Sequence, residues 1–309
     1  MNTAARLSLY GLGLVAVFGV AAALSGALAP EGIATEWTTS QKETDMQQHS
    51  TAGAHADVTD DPGHGGHASA GTAHLGGLTI SDGGYTLDAI AAPASTGEQG
   101  VLTFRIVDEH GRAVTSYETE HDKELHLIVV RTDGTQFRHV HPERDADGVW
   151  SIAWSWDAAG SYRVYADFTA SGSDAVTLSR IVQVAGDHAP VDPQPSRLAQ
   201  ADGYEAALSG DLVAGEASEL TVSVSRDGEE VTGLEPYLGA YGHLVALRQG
   251  DLGYAHVHPE GDAPQASETA GPDVSFAASV PTPGRYLLYF DFQVEGVVHS
   301  VPFVVDTTR

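Results

Sequence analysis

Three regimes of hydrophobic patterning follow one another along the chain. Leu7 to Ala29 is an apolar run of about 23 residues with no charge, long enough to cross a bilayer as a helix. From Glu31 to about Ala73 no hydrophobic period is sustained, and Gly, Ala, Ser, Thr and Asp dominate, which is the composition of a flexible tether. From Leu78 onward, short runs alternate apolar and polar positions between turn residues, the period of half-buried strands. In the first such block the pattern predicts strands over Tyr85 to Ile90, Val101 to Val107, Glu124 to Val130, Phe137 to His141, Val149 to Trp154, Tyr162 to Phe168 and Val176 to Val184.

Short strands at this spacing predict an immunoglobulin-like β-sandwich, and the pattern occurs twice. The organisation expected is an apolar segment over 1–30, a His-rich disordered tether over 31–75, sandwich repeats over 76–186 and 201–309, and a Pro-rich linker over 187–200. The fold class is all-β. Asp157-Ala158-Ala159-Gly160-Ser161-Tyr162 suits the corner in which a Tyr opening the sixth strand bonds back to the backbone, and Pro283-Gly284-Arg285-Tyr286 repeats it. These tyrosines are structural. Tyr162, Val164, Ala166 and Phe168 then point into the sandwich and Asp167 points out.

The repeat carries chemistry as well as fold. Arg138-His139-Val140-His141-Pro142-Glu143 returns as Ala255-His256-Val257-His258-Pro259-Glu260, and each copy follows a strand with a His near its start, His126 or His243, at the same interval. Asp133-Gly134 and Gly250-Asp251 suit two-residue hairpin loops of the primed types. With those loops His126 faces His141 and Ile128 faces His139, while His243 faces His258 and Val245 faces His256. Directly opposed Cβ atoms lie about 5 Å apart and residues two apart share a face, so three imidazoles converge in each repeat. Such a triplet with an open position holds Zn²⁺, and imidazole suits Cu²⁺ too. The affinity order favours copper, and neutral ligands imply weaker binding below about pH 6.5. If the His face is the outer one, Asp167 and Asp291 ligate the ion or orient an imidazole; if it is the inner one, His299 becomes the partner in repeat two. The residues flanking the imidazoles are apolar in both copies, Ile128, Val130 and Phe137, then Val245, Leu247 and Tyr254, so an outer face of this kind requires cover and the repeats are expected to pack these faces together.

Composition narrows the chemistry. With no Cys, disulfides, thiolate metal sites and a blue-copper centre are excluded. A net charge of −27, with Lys42 and Lys123 the lone lysines, excludes nucleic acid as a partner and favours attraction of cations. Arg6 before the apolar run and Glu31 and Glu36 after it place the N-terminus in the cytoplasm and the remainder outside. Ala27-Leu28-Ala29 resembles a cleavage site, so a secreted product is the alternative to a single-pass membrane anchor. His49, His55, His64, His67 and His74, with Met46, make the tether either a mobile metal collector or a plain solvated linker.

The leading apolar segment, the doubled His-Val-His-Pro, the doubled Gly-x-Tyr-x-x-Tyr-x-Asp-Phe and Tyr237-Leu238-Gly239-Ala240-Tyr241-Gly242-His243 together resemble exported actinobacterial proteins mostly labelled hypothetical or heavy-metal-binding. That resemblance implies metal handling, and it adds His121 and His299 as secondary ligand candidates. The expected function is extracytoplasmic binding of copper or zinc in buffering, delivery or sensing, with a metal transporter or another exported protein as partner, and no enzyme activity. The alternatives are a tandem interaction module with structural histidines and a three-His metal-dependent hydrolase.

Overall fold

A computed structural model describes residues 75–308 apart from His256, Asp262, Ala266 and Ser267. The apolar segment and the His-bearing tether up to His74 lie outside the described residues. Among the described residues every regular element is a strand.

Repeat one consists of β1 (Ser81–Asp82), β2 (Tyr85–Leu87), β3 (Gly100–Asp108), β4 (His126–Arg131), β5 (Arg138–Val140), β6 (Glu143–Arg144), β7 (Val149–Trp154), β8 (Gly160–Thr169) and β9 (Ala175–Val184). Its sheets run β1-β2-β3-β7-β6 and β5-β4-β8-β9, the two layers of an immunoglobulin-like sandwich with an extra edge strand, β5, on the second layer. Repeat two consists of β10 (Leu198–Ala201), β11 (Tyr204–Ser209), β12 (Ala217–Arg226), β13 (Glu229–Glu230), β14 (His243–Arg248), β15 (Tyr254–Ala255), β16 (Val257–Pro259), β17 (Asp273–Ser279), β18 (Arg285–Val294) and β19 (Val297–Asp306). Its order is the same: β10-β11-β12-β17-β16 against β15-β14-β18-β19, with β13 added beside β12. The described residues form an all-β tandem of two sandwiches. β10 opens at Leu198, within the stretch expected as linker.

The alternation of side chains fills each core as the patterning requires. In repeat one Leu102, Phe104 and Ile106 of β3 meet Leu127 and Val129 of β4 and Tyr162, Val164, Ala166 and Phe168 of β8. Tyr162 donates its hydroxyl to the Ala158 carbonyl at 2.7 Å, and Tyr286 does the same to Thr282 at 3.0 Å, the tyrosine corners expected from Gly-x-Tyr.

The opposite face of the β4 sheet is also buried. Ile128, Val130 and Tyr165 from repeat one join Val245, Leu247, Leu252, Tyr254, Leu287, Tyr289 and Val304 from repeat two in a third apolar core, and Phe137 stacks on Tyr289 with ring centroids 4.0 Å apart. The outer faces of the two His-bearing sheets therefore cover each other, as their apolar residues required. Two hydroxyls stitch the contact reciprocally: Tyr165 donates to the Leu252 carbonyl at 2.6 Å and Tyr289 to the Gly134 carbonyl at 2.7 Å. The leading residues add a backbone clamp. Gly76 exchanges hydrogen bonds with Tyr254 of repeat two, while the Gly77 amide donates to Thr177 of repeat one.

The hairpin loops differ from the two-residue turns expected. In repeat one the Gly134 amide donates to the Arg131 carbonyl and the Arg131 amide to the Thr135 carbonyl, and Gly134 (φ 82) and Gln136 (φ 58) are left-handed while Asp133 is not. This is an ordinary turn followed by a bulge. The Asp133 carboxylate explains the choice, since it accepts from the Thr135 amide, the Thr135 hydroxyl and Arg131 and so organises its own loop. The added residue in the loop and the irregularity at Gln136 cancel, and Ile128 pairs with His139 as the shorter loop had predicted. In repeat two the Arg248 amide reaches the Gly253 carbonyl across a longer loop.

Candidate metal centre

Three imidazoles of repeat one meet at one point. The ligand atoms of His126, His139 and His141 all lie within 4.8 Å of one another. His126 Nδ1 is 3.0 Å from His139 Nε2 and 3.2 Å from His141 Nε2. Nitrogens about 2.0–2.1 Å from a single zinc ion lie roughly 3–3.4 Å apart at angles between square and tetrahedral, so the separations suit a shared ion. The ring centroids, 5.2, 5.0 and 5.0 Å apart, agree with this.

Hydrogen bonds elsewhere on the rings decide which nitrogens carry protons. His126 Nε2 lies 3.1 Å from the Glu120 carbonyl, which accepts only, so this nitrogen is the donor and Nδ1 carries the lone pair of the neutral ring. His139 Nδ1 donates to the Asp291 carboxylate at 2.9 Å, which in the neutral ring leaves Nε2 with the lone pair. With both rings neutral, two lone pairs face each other at 3.0 Å; a metal ion between them, or a proton on His139 Nε2 in an imidazolium paired with Asp291, makes the contact attractive. A carboxylate–imidazole pair directed at a metal is a common way to orient a ligand.

Burial keeps His126, His141 and His243 neutral. His126 is 9% exposed, and burial first, then the neighbouring His139, push its pKa down to about 3. Burial and the nearby imidazoles take His141 to about 2, and burial takes His243 to about 4. These three rings take up a proton only at a lower pH than a free imidazole does.

The first imidazole of each repeat is held by the same device. The Glu120 amide and carbonyl exchange hydrogen bonds with Lys123 across a turn whose central residues, His121 (φ 48) and Asp122 (φ 62), are both left-handed. The Glu120 carbonyl then accepts from His126. In repeat two Tyr237 and Ala240 exchange the same bonds around Leu238 (φ 53) and Gly239 (φ 74), and the Tyr237 carbonyl accepts from His243 Nε2 at 2.9 Å. These carbonyls escaped the sequence reading. A Leu-Gly pair at the centre of the second tetrapeptide is the one signal that marked a left-handed turn there.

The other predicted site residues are placed as follows. Asp291, opposite His243 in the β14–β18 register, bonds to His139 across the repeat boundary and so orients an imidazole of repeat one. Apolar cover brings the two His-bearing faces together, which lets a carboxylate of one repeat reach an imidazole of the other. Asp167, opposite His126, accepts the Thr177 hydroxyl at 2.6 Å and stands outside the three-nitrogen group. His256 lies outside the described residues, and with it the second triplet as a set. His258 is exposed on β16 opposite Ala277, where the expected register set it opposite His243, because β16 pairs with β17 of the other sheet. His299 points into the repeat-two sandwich, bonds to Asp202 at 2.9 Å and packs on Tyr204 and Phe292. The imidazoles occupy the outer face, so His299 is remote from them. His121 reaches the site: its ring is 6.1 Å from that of His126 and 5.2 Å from that of His243. A cavity of about 150 Å³ between the repeats is lined by His121, His126, His139, His243, His258 and Asp167.

Comparison with known proteins places the doubled architecture in a family. A single family model, described as "Domain of unknown function (DUF8832)", matches the chain twice, over residues 79–186 and 199–309. The chain belongs to this family. No curated protein matches it. Among solved structures it is similar to Salmonella alpha-2-macroglobulin reacted with methylamine, at 16% identity and a TM-score of 0.25, over 78% of this chain and 16% of that one. It is also similar to invasin, a bacterial integrin-binding protein, at 15% identity and a TM-score of 0.22, over 72% of this chain and 38% of that one. A two-domain fibronectin type-III segment of chicken tenascin is 13% identical with a TM-score of 0.21, over 71% of this chain and 97% of that segment. The chain spans about a sixth of the alpha-2-macroglobulin it matches.

Proposed function

We propose that this protein binds a divalent transition-metal ion, copper or zinc, through His126, His139 and His141, and that it does so outside the cytoplasm in buffering, delivery or sensing. The observation that carries the reading is the convergence of three ring nitrogens on one point, with His126 Nδ1 3.0 Å from His139 Nε2 and 3.2 Å from His141 Nε2. Zn²⁺ takes three imidazoles and a fourth ligand, and Cu²⁺ binds the same donors more tightly by the usual affinity order. A net charge of −27 draws cations toward the chain. Membrane attachment through Leu7 to Ala29 and delivery to a metal transporter or another exported protein belong to the same proposal.

We read the site as a holder of metal rather than as a hydrolase. The neighbouring carboxylates accept hydrogen bonds from protein groups, Asp291 from His139, Asp167 from Thr177 and Glu120 from Thr169, and none of them joins the three-nitrogen group. Equilibrium dialysis of the full chain against zinc and against copper, with metal quantified per chain, tests the reading. His141→Ala is expected to lose one equivalent that the intact chain holds, with far-UV circular dichroism unchanged. Equal metal content in the two proteins sinks the proposal.

A further inference from the structure

His121 and His243 come from different repeats and do not belong to the three-nitrogen group, yet they face each other across the inter-repeat cavity. Their ring centroids are 5.2 Å apart, the same separation as the ring pairs of the His126, His139 and His141 cluster, at 5.0 to 5.2 Å. His243 Nε2 donates to the Tyr237 and Leu238 carbonyls at 2.9 and 3.1 Å, so Nδ1 carries the lone pair of the neutral ring. That is the arrangement which leaves His126 Nδ1 as a ligand atom in repeat one. His121 is presented by a backbone turn with two left-handed non-glycine residues in succession, at φ 48 and 62, a conformation of appreciable cost that tends to be kept at functional sites. Repeat two has the same turn with the buried Leu238 in the equivalent place. The His is therefore not required by the turn. Asp167 and Glu120 line the same cavity and add negative potential, and about 150 Å³ accommodates an ion with several waters at roughly 30 Å³ each.

We propose that this cavity holds a second divalent metal ion, bound by His121 of repeat one and His243 of repeat two beside the three-His position. Two protein ligands leave most of the coordination shell to water, so this ion exchanges quickly and is the chain's point of metal uptake and release. A ligand from each repeat makes occupancy a bridge between the sandwiches. The inference rests on the three-His reading, and its test separates the two.

The full chain, His121→Leu and His141→Ala are dialysed against Zn²⁺ at equal free metal, and their Cu²⁺-loaded forms are compared by electron paramagnetic resonance. His121→Leu copies the residue of repeat two, and since His121 is exposed the variant retains the fold. The tether imidazoles contribute equally to all three proteins and drop out of the differences. The expected result is a loss of one equivalent in His121→Leu and loss of the half-field copper signal that two adjacent Cu²⁺ ions produce in the parent. If His121→Leu retains both the equivalent and the signal, or the parent shows no half-field signal, the second ion is ruled out, while a missing equivalent in His141→Ala leaves the three-His reading standing. If neither variant loses metal, both fall.

Discussion

The two repeats share a backbone and differ in what they hang on it. Each has a left-handed turn whose first carbonyl fixes an imidazole, a strand that opens on that imidazole, and an Asp opposite it on the neighbouring strand. Around the His-Val-His segment they diverge. In repeat one Arg138 lies 4.7 Å over the Trp154 ring and donates to the Ser155 carbonyl at 2.9 Å, while Arg144 pairs with Glu124 at 3.1 Å and lies over Tyr117 and Trp150. Repeat two has Ala255 and Gly261 at the corresponding places. The clamped segment keeps three pairs with β4 before crossing to the other sheet, whereas β15 keeps two pairs with β14 and the next described residues pair with β17. Duplicated backbone devices thus survive changes of side chain, while the geometry of an edge strand depends on which side chains hold it down.

The repeats also depend on each other, and the largest expected effect tests whether the imidazoles of both are held neutral by that mutual burial. In the unfolded chain an imidazole takes up its proton near pH 6.5, but His126, His141 and His243 stay neutral in the fold down to about 3, 2 and 4. Their folded pKa values are depressed, so the metal-free protein has its full stability above pH 6.5 and loses it as the pH falls toward those values. The slope is roughly 1.4 kcal/mol per pH unit for each imidazole. Urea titrations of the apoprotein between pH 7.5 and 4.5 are expected to show this steep decline, with His243→Gln shallower by about one proton. A flat profile over that range would show that the rings are solvated.

The two carboxylates sharpen the comparison next. Asp291 orients a ligand of the opposite repeat and Asp167 accepts a hydroxyl of its own. Asp291→Asn is expected to weaken the first equivalent of zinc by about 10–100-fold, the range for a hydrogen-bonded partner of a metal ligand, and Asp167→Asn by much less. Calorimetry with equal losses in the two variants would remove the asymmetry.

The smallest effect concerns the reciprocal hydroxyls. Tyr165→Phe and Tyr289→Phe each leave a buried carbonyl without its donor, at Leu252 and at Gly134, and each is expected to cost about 1–3 kcal/mol in chemical denaturation. A loss confined to one variant would mean that one repeat carries the contact.

Much of this was legible in the chain. Period-two patterning and turn residues predicted the strands and the sandwich, because a half-buried strand has to alternate. The interval between His126 and the His139–His141 pair predicted their convergence, because ladder pairing in a hairpin is arithmetic once its register is set. The apolar neighbours of the imidazoles predicted that the two outer faces would meet. What the chain left open was decided over longer distances. That Asp291 serves His139 depends on how two sheets dock, and no local interval encodes a contact between residues so far apart. The carbonyls of Glu120 and Tyr237 carry no side-chain signature, since any residue in that place offers the same acceptor. His121, a bystander by its position in the chain, reaches His243 because a left-handed turn and the packing of the second sandwich bring it there. Local periodicity determined the strands and one imidazole cluster; docking of the two faces decided which groups orient it and what lies beside it, because burial of an apolar sheet face is satisfied by the whole partner surface rather than by any one residue.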